Sequence, residues 1–207
     1  MSGSINKILD SHEQPLLITA PPKASFNKHN IPDQKNFIAI DLETTGLSPQ
    51  YNEIIEIGAI KYINATPVAK FNRLVKPQKY IPSRITKLTG ISNKMVANAP
   101  PIEVVLPQFL QFIERYHLVI HNAPFDMGFL LANTRAKITN PVIDTVQACR
   151  RYFNFPDNKL KTVCSELKII NKTHHRALND CYAVGQVYLA CNRIFEMEKR
   201  TSLAERR

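Results

Sequence analysis

The apolar positions change period several times along the chain. Phe37-Ile38-Ala39-Ile40-Asp41 is an unbroken apolar run that stops at an acid, the pattern of a central strand buried on both faces. Glu53 to Tyr62 and Val68 to Val75 give two more strands close behind it, so antiparallel pairing in a meander is expected. Pro77 and Pro82 break that pattern, and Ile81 to Gly90 predicts a short helix and turn. From Pro101 to Arg115 the period becomes helical, with Val104, Val105, Leu106, Phe109, Phe112 and Ile113 on one broad face. Leu118 to His121 predicts a strand, Phe125 to Ala136 a helix, and Val142 to Asp144 another strand. Helices are then expected from Thr145 to about Phe153, from Thr162 to Leu167, and from about Ala177 to Glu198. A meander of three strands followed by alternating helix and strand predicts an α/β or α+β domain built on a mixed sheet, spanning residues 36–198. Residues 199–207 read as a short charged tail that frays.

Residues 1–35 do not share these periods. Pro15, Pro21, Pro22 and Pro32 punctuate a polar stretch that reads as a flexible leader, interrupted by one apolar patch, Leu16-Leu17-Ile18. Hydrophobic residues make up 44% of the 207, enough for a sizeable core. The 27 basic residues outnumber the 17 acidic ones, a net charge of +10 that favours polyanionic partners, chiefly nucleic acid. Cys149, Cys164, Cys181 and Cys191 have neither C-x-x-C nor zinc-finger spacing and read as reduced core residues, which predicts a cytoplasmic protein. No apolar run is long enough to span a bilayer, so no membrane association is expected, and Met1 to Asp10 lacks the build of a secretory signal.

The candidate chemistry lies in three short blocks. Asp41 and Glu43 are two apart at the end of the best strand, so alternation places both carboxylates on one face. Such a pair repels itself unless a cation sits between them, and Mg²⁺ or Mn²⁺ suits oxygen ligands. Alone, D-x-E is a weak signal; a Thr44-Thr45-Gly46-Leu47 turn directly after it strengthens it. The second block is His121-Asn122-Ala123-Pro124-Phe125-Asp126. Pro124 pre-sets a helix start, which puts Asp126 in the first turn, where an acid also simply suits the helix dipole. A catalytic role requires the strand before it to run parallel beside the first, bringing both acids to one sheet edge. The third block is His175-Arg176-Ala177-Leu178-Asn179-Asp180. On one helix, groups five apart diverge, so His175 and Asp180 converge only if His175 precedes the helix and hangs over its start. A histidine there can take a proton from water, because imidazole titrates near neutrality. His174 is a competing candidate; motif spacing favours His175.

These blocks resemble the DEDDh family of 3′–5′ exonucleases. Asp41, Glu43, Asp126 and Asp180 match the four acids and His175 the histidine, and the likeness continues through Ile54-Ile55-Glu56-Ile57-Gly58-Ala59, Leu88-Thr89-Gly90-Ile91 and Asn140-Pro141-Val142-Ile143-Asp144-Thr145. It covers about Asn36 to Ile194. The resemblance implies a ribonuclease H-like fold, α/β with a five-stranded mixed sheet flanked by helices. It also implies hydrolysis of phosphodiesters from the 3′ end of DNA with two Mg²⁺ or Mn²⁺ ions, releasing nucleoside 5′-monophosphates. On that likeness Asp41 bridges both ions, Glu43 and Asp180 hold the ion carrying the attacking water, and Asp126 supports the second. His175 is then the base. The Thr44, Thr45, Gly46 and Leu47 turn and Asn122 would hold the terminal nucleotide, with Leu47 either wedged against its base or capping the turn as a core residue.

The departures are small: Asn179 stands where an acid is frequent and Cys181 where alanine is frequent. The chain stops soon after its last expected helix, which argues against the C-terminal polymerase tether of epsilon-type proofreading subunits, otherwise the nearest resemblance. The same fold trimming RNA remains an alternative, as does a non-catalytic nucleic-acid-binding adaptor, against which the retention of all five residues argues. Single-stranded or frayed DNA is the expected substrate, with a polymerase or a sliding clamp as further partners. For the clamp, Gln14-Pro15-Leu16-Leu17-Ile18 resembles a docking peptide without its usual final aromatic; the plainer reading is that Leu16 to Ile18 packs on the domain.

Overall fold

The first strand sets the position of everything else. In the computed structural model, which describes residues 35–134, 137–171 and 175–204, β1 (Phe37–Thr44) lies at the centre of a five-stranded sheet ordered β3-β2-β1-β4-β5. β2 (Ile54–Ile63) pairs antiparallel with β1, and β3 (Thr66–Leu74) antiparallel with β2. β4 (His117–Ile120) and β5 (Val142–Asp144) run parallel to β1. The sheet is therefore mixed, and the parallel placement of β4 beside β1 meets the condition that Asp126 required.

Because β1 is covered on both sides, its side chains divide by parity. Ile38, Ile40 and Leu42 face a cluster with Val105, Phe109, Phe129 and Leu130, contributed by α3 (Ile102–Ile113) and α4 (Ala123–Asn133). Phe37 and Ala39 face the opposite way, against Cys181, Val184 and Tyr188 of α7 (Ala177–Ala204). Phe37 stacks on Tyr62 at 4.5 Å between ring centres and meets Tyr188 edge-on at 4.8 Å; pairs of this kind are worth about 0.5–1.5 kcal/mol each beyond the area they bury. α5 (Thr145–Tyr152) and α6 (Leu160–Glu166) close a further cluster against α7 that contains Cys149, Cys164 and Cys191. All four cysteines are buried free thiols. No helix among the described residues is long and apolar enough to cross a membrane.

Several boundaries differ from the sequence pattern. β1 continues three residues beyond Asp41 because pairing with β2 continues through Leu42↔Ile57 and Glu43↔Glu56; polar side chains do not stop a ladder. The segment 81–90 forms α1 (Ser83–Thr89), closed by Gly90 at φ 72°, and a second short helix follows, α2 (Asn93–Val96), whose Ser92 cap accepts from the Met95 amide. Val104 is 48% exposed and leaves the buried face of α3. α4 begins two residues before the expected Phe125, because Asn122 takes the left-handed conformation and the chain is helical from Ala123. α6 starts two residues early, at Leu160. α7 continues to Ala204 rather than fraying after Glu198. Charge does not break a helix, and the hydroxyls of Thr201 and Ser202 are satisfied by the carbonyls four residues back. The leader with its Gln14–Ile18 segment, His174 and the last three residues lie outside the described residues.

Candidate active site

The carboxyl ends of β1 and β4 and the start of α7 meet at one edge of the sheet. Asp41 and Glu43 share the odd-numbered face of β1, toward α7. Asp126, in the first turn of α4, reaches in from the other side, and its Oδ1 accepts the Leu42 amide at 3.0 Å. α7 comes close because Gly58, the register partner of Asp41, leaves room for it. A β-carbon at Gly58 would lie 2.6 Å from the backbone of Ala177. That contact sets the first turn of α7 on the sheet and brings Asp180, 5% exposed, over Asp41 and Glu43.

His175 precedes the helix by two residues, in the left-handed conformation at φ 60°, and its amide donates to Asp180 Oδ2 at 2.7 Å. It therefore hangs over the helix start, as the five-residue spacing required. Ligand atoms of Glu43, His175 and Asp180 all lie within 4.8 Å of one another, with the histidine on the exposed side. Asn171 Nδ2 donates to the other Asp180 oxygen at 2.6 Å.

So many acids in one place are held against their charge. Burial, followed by the charges of Asp126, Glu43, Asp180 and Glu56, holds Asp41 well above the ordinary carboxylate range. Glu43 is pushed up to about 8, by burial first and then by Asp180, Glu56 and Asp126, with Arg176 acting against them. Asp126 is also pushed up to about 8, chiefly by burial, although the Leu42 amide pulls it down. Four carboxylates and an imidazole supply hard oxygen donors and one nitrogen. This donor set fits divalent cations of the Mg²⁺ or Mn²⁺ class, whose charge would offset the burial and mutual repulsion that raise Asp41, Glu43 and Asp126.

The sequence profile of the Exonuclease (RNase T) family matches residues 38–188. The chain belongs to this family, in its DEDDh group. Its fold is ribonuclease H-like. Among solved structures, exonuclease X in complex with 5′ overhanging duplex DNA is 28% identical, with a TM-score of 0.66 over 76% of this chain and 92% of that one. The nuclease domain of 3′hExo, a DEDDh family member bound to rAMP, has the same TM-score at 19% identity and shares the fold, over 78% of this chain and 92% of that one. Among curated relatives, the PolC-type DNA polymerase III of Caldanaerobacter subterraneus is 42% identical over 157 residues, 74% of this chain. That of Thermotoga petrophila is 35% identical over 205 residues, 97% of this chain. The chain spans only 11% and 14% of the length of these two polymerases.

In this exonuclease domain the turn after β1 is built by its own hydrogen bonds. Thr44 Oγ1 donates to Gly46 O at 2.6 Å, the Thr45 amide to Glu53 O at 2.8 Å, and the Glu53 amide to Thr45 Oγ1 at 2.9 Å. Thr44 and Thr45 are buried, whereas Leu47 at the tip is 85% exposed, so it does not cap the turn as a core residue. Asn122 is exposed at the other side of the site, with its amide on Asp144 Oδ1 at 3.1 Å.

One site residue escaped the sequence reading. Glu56, 1% exposed, pairs in register with Glu43 and receives Arg176 through two bonds, Nε at 3.2 Å and Nη2 at 3.0 Å, plus the Ala177 amide at 3.1 Å. It ties the start of α7 to the sheet. The signal was present: an acid inside the apolar run Ile54–Ala59 cannot be buried without a cationic partner.

Proposed function

We propose that the domain is a divalent-cation-dependent 3′–5′ exonuclease that removes nucleoside 5′-monophosphates from DNA. The observation that carries this reading is the convergence of Glu43, His175 and Asp180 within 4.8 Å, beside Asp41 and Asp126, at the edge of an exonuclease-family sheet. The DNA polymerase III relatives support DNA over RNA.

Asp41, Glu43, Asp126 and Asp180 would hold two cations. When bound, these supply positive charge to the scissile phosphate and make water a stronger acid. The chain does the remainder. The Thr44–Leu47 turn and Asn122 hold the terminal nucleotide, with exposed Leu47 against its base. The ring of His175, open to solvent, takes a proton from the water as the water oxygen bonds to phosphorus. The bond from phosphorus to the 3′ oxygen of the preceding nucleotide then breaks, and that oxygen takes up a proton as a new 3′-hydroxyl. His175 can return its proton to solvent, because it is exposed. Arg176 and Glu56 keep the histidine-bearing segment on the sheet.

Labelled single-stranded DNA and RNA of matched sequence, each with Mg²⁺ or with excess chelator, test the reading. DNA shortening only with the cation is expected. Equal degradation in chelator overturns it, and a preference for RNA overturns the substrate assignment.

A further inference from the structure

From Ile57 to Ile102 the chain has no Asp or Glu and eight Lys or Arg. Lys61 is paired with Glu114 at 2.8 Å. Lys76, Lys79, Arg84, Lys87 and Lys94 are exposed and have no acidic partner among the described residues. Most of the chain's positive excess is therefore gathered on β3, α1, α2 and the loop 76–80 that joins β3 to α1.

That loop also exposes an aromatic ring. Tyr80 is 87% exposed, directly after Lys79. Between the loop and α2 lies an open cleft of about 310 Å³, with Lys76, Gln78, Lys79 and Tyr80 on one side and Asn93 and Val96 on the other. Asn93 ties α2 to the end of the loop, exchanging hydrogen bonds with the Ile81 backbone at 2.8 and 3.2 Å. A groove that sets cations beside an exposed ring suits a single strand, because cations follow the phosphates and any base can stack on the ring.

Its position joins it to the site. The Glu53 carboxylate accepts the amides of Gln78 at 2.8 Å and Lys79 at 3.0 Å. The backbone of the same Glu53 is paired with Thr45. One residue thus fastens the basic loop to the turn that holds the terminal nucleotide.

We propose that loop 76–80 and the adjoining face of α2 carry the single strand immediately 5′ of the terminal nucleotide, with Lys76 and Lys79 on its phosphates and Tyr80 stacked on a base. The proposal rests on the exonuclease reading above. It gives the strand a direction across the surface, from the Leu47 turn past Glu53 to α2, and predicts that affinity for long substrates is set there rather than among the acids.

The test is steady-state kinetics of the full chain on a 15-nucleotide single strand across a salt series. Wild type is compared with a Lys76→Ala/Lys79→Ala/Tyr80→Ala variant and with Lys79→Ala alone in case the triple variant unfolds. The expected result for the triple variant is a KM raised about tenfold or more with kcat little changed. Each lost phosphate contact removes about 0.7 from the slope of log affinity against log salt, so the two lysines together should lower it by about 1.4. The single variant should lower the slope by about 0.7. Unchanged KM and slope overturn the proposal, and so does a loss seen instead in Lys159→Ala/Lys161→Ala on the α6 side. A wild type that degrades no strand overturns the exonuclease reading itself, whereas an active wild type with a silent loop variant overturns only the strand path.

Discussion

Removing the cations and raising the pH should destabilise this protein, although a protein whose acids are paired gains stability under the same change. Glu43 and Asp126 are each pushed up to about 8 in the folded chain, from ordinary values of 4.5 and 3.8. Between those limits the folded state holds protons that the unfolded state has lost, so stability falls as pH rises through that window. From pH 6 to pH 8 one such acid costs about 2 kcal/mol. The total is about 2 kcal/mol if the coupled acids share a single proton and about 4 kcal/mol if each titrates alone. For a chain of this size that is a fall in Tm of roughly 4–16 °C. His117 and His121, whose pKa values burial lowers, act the other way at acidic pH: they take up a proton less readily folded than unfolded, so they favour higher pH. The informative quantity is therefore the difference between wild type and Glu43→Gln. Thermal melts in chelator at pH 6, 7 and 8 should show a steeper fall for wild type, and added Mn²⁺ should restore more at pH 8 than at pH 6, because binding releases protons. A flat or rising Tm in chelator, with the same slope in both proteins, refutes the account of the acidic cluster.

Three further outcomes follow from the geometry. His175→Ala should lower the cleavage rate on the order of 10²–10⁴-fold while Mn²⁺ still raises the melting temperature; greater damage from His174→Ala would move the base by one residue. Gly58→Ala sets a β-carbon 2.6 Å from the Ala177 backbone, so it should cost about 1–3 kcal/mol in a denaturant melt and weaken cation binding by displacing Asp180; a variant with wild-type stability and activity contradicts the close contact. Deleting residues 1–30 should lower Tm if Leu16 to Ile18 packs on the domain, or abolish capture by an immobilised sliding clamp at unchanged activity on free oligonucleotides if the segment docks there. No change in either measurement leaves both readings of the segment without support.

The site was more legible in the sequence than the edges of the fold. Asp41 and Glu43 could be placed on one face because strand period is fixed, and the need for His175 to precede α7 followed from helical angles alone. The positions the pattern missed depend on partners distant in the chain. Nothing local in Ile54–Ala59 says that Glu56 will meet Arg176, 120 residues on. Leu47 could not be assigned to core or surface from its own turn, since its exposure depends on what does not fold over it. α7 outran its expected end because its charged last turns carry no breaker, and composition was a poor guide to where a helix stops.

The most direct test of a cation-dependent cleavage centre follows a single-stranded DNA labelled at its 5′ end, with wild type and Asp41→Ala compared in Mn²⁺ and in chelator. Wild type with Mn²⁺ should give a ladder of labelled strands shortening from the 3′ end, with free 5′-mononucleotides as the other product. Chelator should abolish it. Asp41→Ala should give no ladder while melting at or above the wild-type temperature in chelator, since removing one acid relieves the repulsion on the others. A ladder of similar rate from Asp41→Ala, or from wild type in chelator, would contradict the account.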